Sequence, residues 1–261
     1  GVEAFATLLL EAAGPFVAAV KPNLAFFEAF GSSGIAALER IRARVPSGLP
    51  VVMDAKRGDI GTTAARQAAA LFDGLGADAV TVNPYLGEEA VLPLLERLDR
   101  FAYVLCRTSN PGAGELQGLI VAEEVAQGGG DARGDDGPDA HTAPAEPLYA
   151  RVARRAATWG PGETVGLVVG ATAPTELAAI RVIAPGLTFL VPGVGAQGGD
   201  EAAVLRDGPA RAAPAAERAG GGLLVNVSRG ISGAVASASG DPSEAVAAAA
   251  RDWSRRLPVL G

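Results

Sequence analysis

Four charges fall within six positions of "VVMDAKRGDIG", residues 51–61, at Asp54, Lys56, Arg57 and Asp59, directly after an apolar run. Opposite charges within about 4–6 Å favour each other's ionised forms, so an ammonium beside aspartates stays protonated and the aspartates stay ionised. Asp54 and Lys56 are two residues apart, and the strand period points both to one side; Gly58 lets the chain turn sharply before Asp59. In isolation this reads first as a structural ion-pair network at a strand end. An upstream stretch changes the balance: "FVAAVKPN" ends a second apolar run with Lys21. Two lysines and two aspartates can then alternate in sign around one small volume. Such a set can hold a substrate carboxylate against a fixed aspartate while an ammonium stands beside the carbon where negative charge develops. That arrangement favours loss of CO2 and protonation of the carbanion left behind, with Lys56 as general acid. A Schiff base is not required, because an imine-forming lysine needs a lowered pKa and these aspartates raise it.

A second set of residues suits an anion. "VPGVGAQGGD", 191–200, offers Gly193, Gly195, Gly198 and Gly199 for close backbone approach and Gln197 as an amide donor. "NVSRGISG", 226–233, offers Arg229, a planar cation matched to phosphate. Either loop alone reads as an ordinary turn; the two in this order match the place where the last strand loops of a barrel hold phosphate. Together with the charged quartet they imply a phosphorylated, sugar-like substrate. "CRTSNPG" supplies Thr108, Ser109 and Asn110, able to read the edge of a heterocycle or simply to start a turn. "VNPYLG" suits a βα loop and is given no role beyond shaping a wall.

These residues follow a run of alternating elements. Apolar runs end at Val20, Met53, Val82, Cys106, Val169, Val191 and Val227, and most are continuous, as expected of parallel strands covered on both faces. Between them the pattern predicts helices at 2–13, 32–45, 61–75, 87–98, 147–159, 174–184, 200–218 and 242–256. Seven strands and eight helices, with no strand before the first helix, predict an α/β (β/α)8 TIM barrel whose first strand is missing from the sequence. Polar residues after almost every strand favour the barrel over an open doubly wound sheet, which gathers its site at one switch point. No GxGxxG opens a helix after the first strand. The whole chain, 1–261, is expected to be one domain beginning inside a longer protein, since residue 1 is Gly. The Gly/Asp/Pro-rich stretch 127–146, which includes His141, is expected to be a flexible loop without catalytic role.

Composition excludes several classes. With 49% hydrophobic residues over 261 positions and a mean hydropathy of +0.25, the chain can bury a sizeable core. Its net charge of −7 argues against nucleic acid or an anionic membrane as partner. One cysteine, Cys106, and one histidine rule out a disulfide framework and a Cys/His metal cluster. No run of about 18 uncharged apolar residues and no cleavable leader is present, so a soluble, cytoplasmic protein is expected.

The ordered set "VKPNLAFFEAFG", "DAKRGDIGTT", "TSNPG", "VVGATAP", "VPGVGAQGGD" and "VSRGI" resembles the orotidine 5'-phosphate decarboxylase family, in the bacterial branch with the D-A-K-R-G-D motif. The likeness runs from about residue 2 to 256, apart from the 127–146 stretch. It implies decarboxylation of orotidine 5'-phosphate to uridine 5'-phosphate in pyrimidine biosynthesis, with no metal or organic cofactor. It also implies a homodimer with shared active sites. Lys21, Asp54 and Lys56 would form the network of one subunit, and Lys56 would protonate C6. Asp59 would enter the neighbour's site, joined by Thr63 near the ribose. Ser109 would contact the pyrimidine, and Gln197, Arg229 and the Gly195 backbone the phosphate. The family's first strand supplies a ribose-binding aspartate that would lie before Gly1. The nearest rival, similar to phosphosugar decarboxylases and aldolases of the same scaffold, uses magnesium and a glutamate where this chain has Lys21, whose charge would repel the ion. A catalytically silent nucleotide binder is a rival of another class; it would gain nothing from crowding aspartates near a substrate carboxylate.

Overall fold

The computed structural model describes residues 1–122, 145–160 and 163–259. Six strands form one parallel sheet, in the order β1 (Val52–Arg57), β2 (Ala79–Val82), β3 (Phe101–Arg107), β6 (Val165–Val169), β7 (Thr188–Val191) and β8 (Leu223–Val225). Between β3 and β6 in the chain, β4 (Ile120–Val121) and β5 (Glu146–Pro147) make a short antiparallel ribbon. The run ending at Val20 is not a full strand. It adds a seventh stave through two parallel bridges, Val20 to Val51 and Asn23 to Asp54, because Pro22 supplies no N–H for a continuous ladder. The seven staves are those expected from the apolar runs, and their curled parallel arrangement is that of a (β/α)8 barrel. Among the described residues no pairing joins β8 to the 20–23 stave, and no strand precedes the first helix.

The sheet has two buried faces. Residues Val52, Ala79, Tyr103, Val168 and Leu190, one from each of five strands, pack together as the barrel interior. Their neighbours Met53, Val80, Val104, Leu167, Phe189 and Val191 point the other way into the larger core beneath the helices. Strand alternation therefore sorts each continuous apolar run into an inner and an outer set. Each large aliphatic or aromatic side chain removed from water contributes about 1.5–3 kcal/mol.

Twelve helices surround the sheet among the described residues: α1 (Val2–Ala13), α2 (Ala25–Glu28), α3 (Gly31–Arg44), α4 (Gly61–Ala68), α5 (Leu92–Leu95), α6 (Ala113–Gln117), α7 (Leu148–Ala156), α8 (Pro174–Ile183), α9 (Glu201–Asp207), α10 (Arg229–Ser232), α11 (Ala234–Ser237) and α12 (Pro242–Arg256). The helix expected at 61–75 is α4 continued by a wider π turn, Ala69–Gly74. That expected at 87–98 shrinks to α5: Pro93 is tolerated only in a first turn, and Thr164 Oγ1 takes the Leu95 carbonyl at 2.7 Å. That expected at 200–218 stops at Asp207, because Pro209 follows Gly208 and ends the helix. Asp200 caps α9 and Asp241 caps α12, each carboxylate accepting a backbone N–H of the first turn at 2.9 Å. Helices α1 and α12 pack on one another through Ala12, Ala13, Val246 and Ala250.

His141 and nearly all of the 127–146 stretch lie outside the described residues. Glu146 at its end is not loop: it stands in β5 and binds Arg151 Nε at 2.7 Å and Arg154 Nη2 at 2.9 Å. No described helix is long and apolar enough to cross a membrane.

Candidate active site

Because the strands are parallel, their C-terminal ends share one rim, and the expected site residues follow those ends. Lys21 leaves the 20–23 stave, and Asp54 and Lys56 end β1. Ser109 follows β3, Gln197 follows β7 and Arg229 follows β8.

Three of the four charges expected to cluster do so. Asp54 sits between the two lysines, with Lys21 Nζ on Oδ2 at 2.7 Å and Lys56 Nζ on Oδ1 at 2.5 Å. Burial alone would raise the Asp54 carboxyl, but the charges and hydrogen bonds of Lys21 and then Lys56 outweigh it and hold Asp54 below the usual carboxylate range. The Asp54 side chain is 13% exposed and that of Lys56 49%, so the carboxylate is walled in and the Lys56 ammonium opens toward solvent.

Asp59 does not join them. Its Oδ1 accepts the Ile60 N–H at 2.8 Å and its N–H donates to the Ala90 carbonyl at 3.0 Å. Among the described residues no ion pair links it to Lys21 or Lys56. Arg57 also turns away, paired with Glu28 at the end of α2. Gly58 has a different reason from the expected sharp turn. Its φ lies outside the left-handed region; a Cβ there would stand 2.6 Å from the Asn83 carbonyl oxygen. Thr63 is exposed in the first turn of α4.

The run 51–57 is not a plain strand either. Pairing with β2 proceeds as Val52 to Ala79 and Met53 to Val80, then jumps to Arg57 and Val82. Lys56 adopts φ +49°, alone among the described non-glycine residues in that region. Thr81, which sequence reasoning passed over, lies opposite the bulge; its hydroxyl accepts the Ala55 and Lys56 N–H groups and donates to Asp54 Oδ1, each at 3.0 Å. Its signal was a hydroxyl in the otherwise apolar stretch "AVTV", 79–82.

Across the rim, Gln197 Nε2 donates to Ser109 Oγ at 3.2 Å, joining the β3 and β7 loops. Ser109 is nested against glycines: a Cβ on Gly170 would reach its backbone at 2.8 Å, and one on Gly193, at φ +102°, its Cβ at 2.9 Å. Thr108 and Asn110 are committed locally. Thr108 Oγ1 donates to Asn110 Oδ1 and accepts from Gln117 Nε2, which leaves Ser109 as the hydroxyl facing Gln197. Gly195 and Gly230 both rest on the Trp253 ring of α12, whose indole N–H donates to the Gly230 carbonyl at 3.2 Å. Arg229 opens α10 exposed, and among the described residues its guanidinium has no partner. Cys106 is buried and burial pushes its thiol up, so it is no nucleophile. No described group of three or more His, Cys, Asp or Glu is placed to hold a metal ion.

The chain matches the profile of the orotidine 5'-phosphate decarboxylase / HUMPS family over residues 3–249. It is 44% identical over 232 residues to orotidine 5'-phosphate decarboxylase of Herpetosiphon aurantiacus, covering 88% of this chain and 75% of that protein. Among solved structures it superposes with a TM-score of 0.77 on Leishmania donovani OMP decarboxylase, at 38% identity, covering 99% of this chain and 86% of that one. It superposes equally well on Leishmania donovani UMP synthase, at 39% identity, and there it spans about half (49%) of the longer chain.

Proposed function

This chain belongs to the orotidine 5'-phosphate decarboxylase / HUMPS family, and on that premise we propose how its residues divide the reaction. The protein decarboxylates orotidine 5'-phosphate to uridine 5'-phosphate and CO2 in pyrimidine biosynthesis.

The observation that carries the mechanism is the Asp54 carboxylate fixed between two ammonium groups, one of them half exposed. A substrate carboxylate brought beside Asp54 meets a fixed negative charge, and leaving as CO2 relieves the repulsion. The C6–carboxylate bond breaks, its electron pair stays on C6, and Lys56 Nζ delivers a proton there; the neutral amine regains a proton from water. The preorganised ammonium stabilises charge that exists only in the transition state. Lys21 holds Asp54 from its other oxygen. The phosphate is anchored by Arg229, Gln197 and the Gly195 backbone, and Ser109 reads the pyrimidine edge beside Gln197. The Arg229 guanidinium, without a partner among the described residues, and the Ser109–Gln197 hydrogen bond support these roles.

Asp59 and Thr63 complete the site of a second copy in a homodimer. Supporting this, Asp59 stands apart from its own chain's lysines. The loop bearing it is also bonded to the 83–90 segment, and the two expose Ile60, Tyr85 and Leu86. A single domain over 1–261, a cytoplasmic location and membership of the D-A-K-R-G-D branch belong to the same proposal, the last supported by residues 54–59.

The test is loss of orotidine 5'-phosphate absorbance with purified protein, with and without EDTA. Decay insensitive to EDTA is expected; no decay from folded protein would reject the assignment, and loss of activity with EDTA would reject the metal-free mechanism.

A further inference from the structure

The geometry points to Thr81 as the positioning residue that fixes Lys56 for proton delivery, an inference resting on the decarboxylase reading above. Between the pairs Met53 to Val80 and Arg57 to Val82, three residues of β1 face Thr81 alone. A regular parallel ladder has no carbonyls placed for the N–H groups of Ala55 and Lys56 at such a bulge. Both are taken by one oxygen, Thr81 Oγ1, at 3.0 Å each, and the same hydroxyl donates to Asp54 Oδ1 at 3.0 Å. A hydroxyl has one proton and two lone pairs, so Thr81 is saturated. It is 2% exposed and keeps no hydrogen bond for substrate, which makes its role one of positioning.

What it positions is unusual. Lys56 is held at φ +49°, a conformation that an L residue keeps only when its surroundings over-determine it. The Thr81 bonds pin the peptide on the N-terminal side of that residue, and the carboxylate that receives the Lys56 ammonium is pinned by the same hydroxyl. Without the hydroxyl, two part-buried N–H groups lose their partner. The bulge then relaxes toward negative φ, and the ammonium leaves the line on which it meets C6.

Thr81→Val keeps the shape and removes the hydroxyl, whereas Thr81→Ser keeps the hydroxyl. Steady-state kinetics on both, beside the parent chain and with uridine 5'-phosphate binding measured by titration, make the test. Thr81→Val is expected to lower kcat about 100-fold, the scale of a misplaced catalytic group. KM and product affinity should stay within about threefold, and Thr81→Ser should recover kcat to within about threefold of the parent. Should Thr81→Val not accumulate as folded protein, Thr81→Cys, with its weak donor and acceptor, carries the same comparison. A kcat within about threefold of the parent for the hydroxyl-free variant, or a serine variant no better than it, overturns the inference alone while the parent still turns over. A folded parent without turnover overturns the decarboxylase reading and this inference with it.

Discussion

At the scale of single residues, the site is one carboxylate and what surrounds it. Lys56 is assigned the proton because its ammonium is both bonded to Asp54 and open to solvent. Lys56→Ala should nearly abolish turnover while phosphate-anchored product binding remains detectable by titration. Turnover within about tenfold of the parent, about 1.4 kcal/mol of barrier, would remove Lys56 from that role. Asp54 also makes a stability prediction. Its folded pKa lies below the ordinary carboxylate value, so its stabilisation is fully present above an unfolded pKa of about 4 and is lost as pH falls through the folded one. Asp54→Asn should therefore destabilise the fold at neutral pH, by about 1.5–3 kcal/mol on the scale of hydrogen bonds to a charged group, leaving two ammonium groups without their shared counter-ion. Denaturant unfolding at neutral pH and near pH 3 checks the sign: the gap to the parent should narrow in acid, and a constant gap would show that the Asp54 charge is not what stabilises.

At the scale of elements, the loops of the anion end are braced from behind. Trp253 of α12 is 8% exposed and lies under both Gly195 and Gly230, with Arg256 stacked 3.8 Å over its ring. A Cβ on Gly230 would stand 2.7 Å from the indole nitrogen, which already donates to the Gly230 carbonyl. Gly230→Ala should tilt the start of α10, displace Arg229 and lower kcat/KM about tenfold, or about 1.4 kcal/mol. An unchanged kcat/KM would mean that the ring yields and that α12 does not set the anion end. Arg181 does comparable structural work away from the site. Fully buried, it donates to the carbonyls of Ala184, Leu187 and Gly208 and stacks 3.5 Å over Phe189, joining the end of α8 to the loop after α9. Burial, with the nearby charge of Arg211, pushes its guanidinium down to about 10, so it remains protonated at neutral pH.

At the scale of the whole molecule, one curled set of parallel strand ends gathers residues from positions 21 to 229 on one rim, and the dimer proposal adds Asp59 and Thr63 from outside it. Mixing separately inactive Lys56→Ala and Asp59→Ala chains tests that addition. If the site is shared, each mixed dimer carries one site with neither substitution, and random reassortment in a 1:1 mixture should restore about a quarter of the parent activity. If Asp59 serves its own chain, every site keeps one substitution and mixing restores nothing.

The sequence by itself determined the seven staves of the parallel sheet, though not the β4–β5 ribbon, together with the parallel class and most helices. Continuous apolar runs and helical periodicity are local properties, and the caps at Asp200 and Asp241 are written within three residues. It also foretold the pairing of Lys21 with the charged run, since residue type and position after a strand suffice for it. Tertiary structure alone decided which charges meet. Arg57 goes to Glu28 and Asp59 to its own helix start, because the bulge and the close approach of Asn83 to Gly58 turn the chain after Lys56. It alone decided Thr81, whose bonds span 25 to 27 positions, and the role of Trp253 beneath glycines far from it in the chain. A hydroxyl in an apolar run is legible locally, but a hydrogen bond to a residue brought near by folding leaves no mark in either residue's own neighbourhood, so no local pattern could announce the partner.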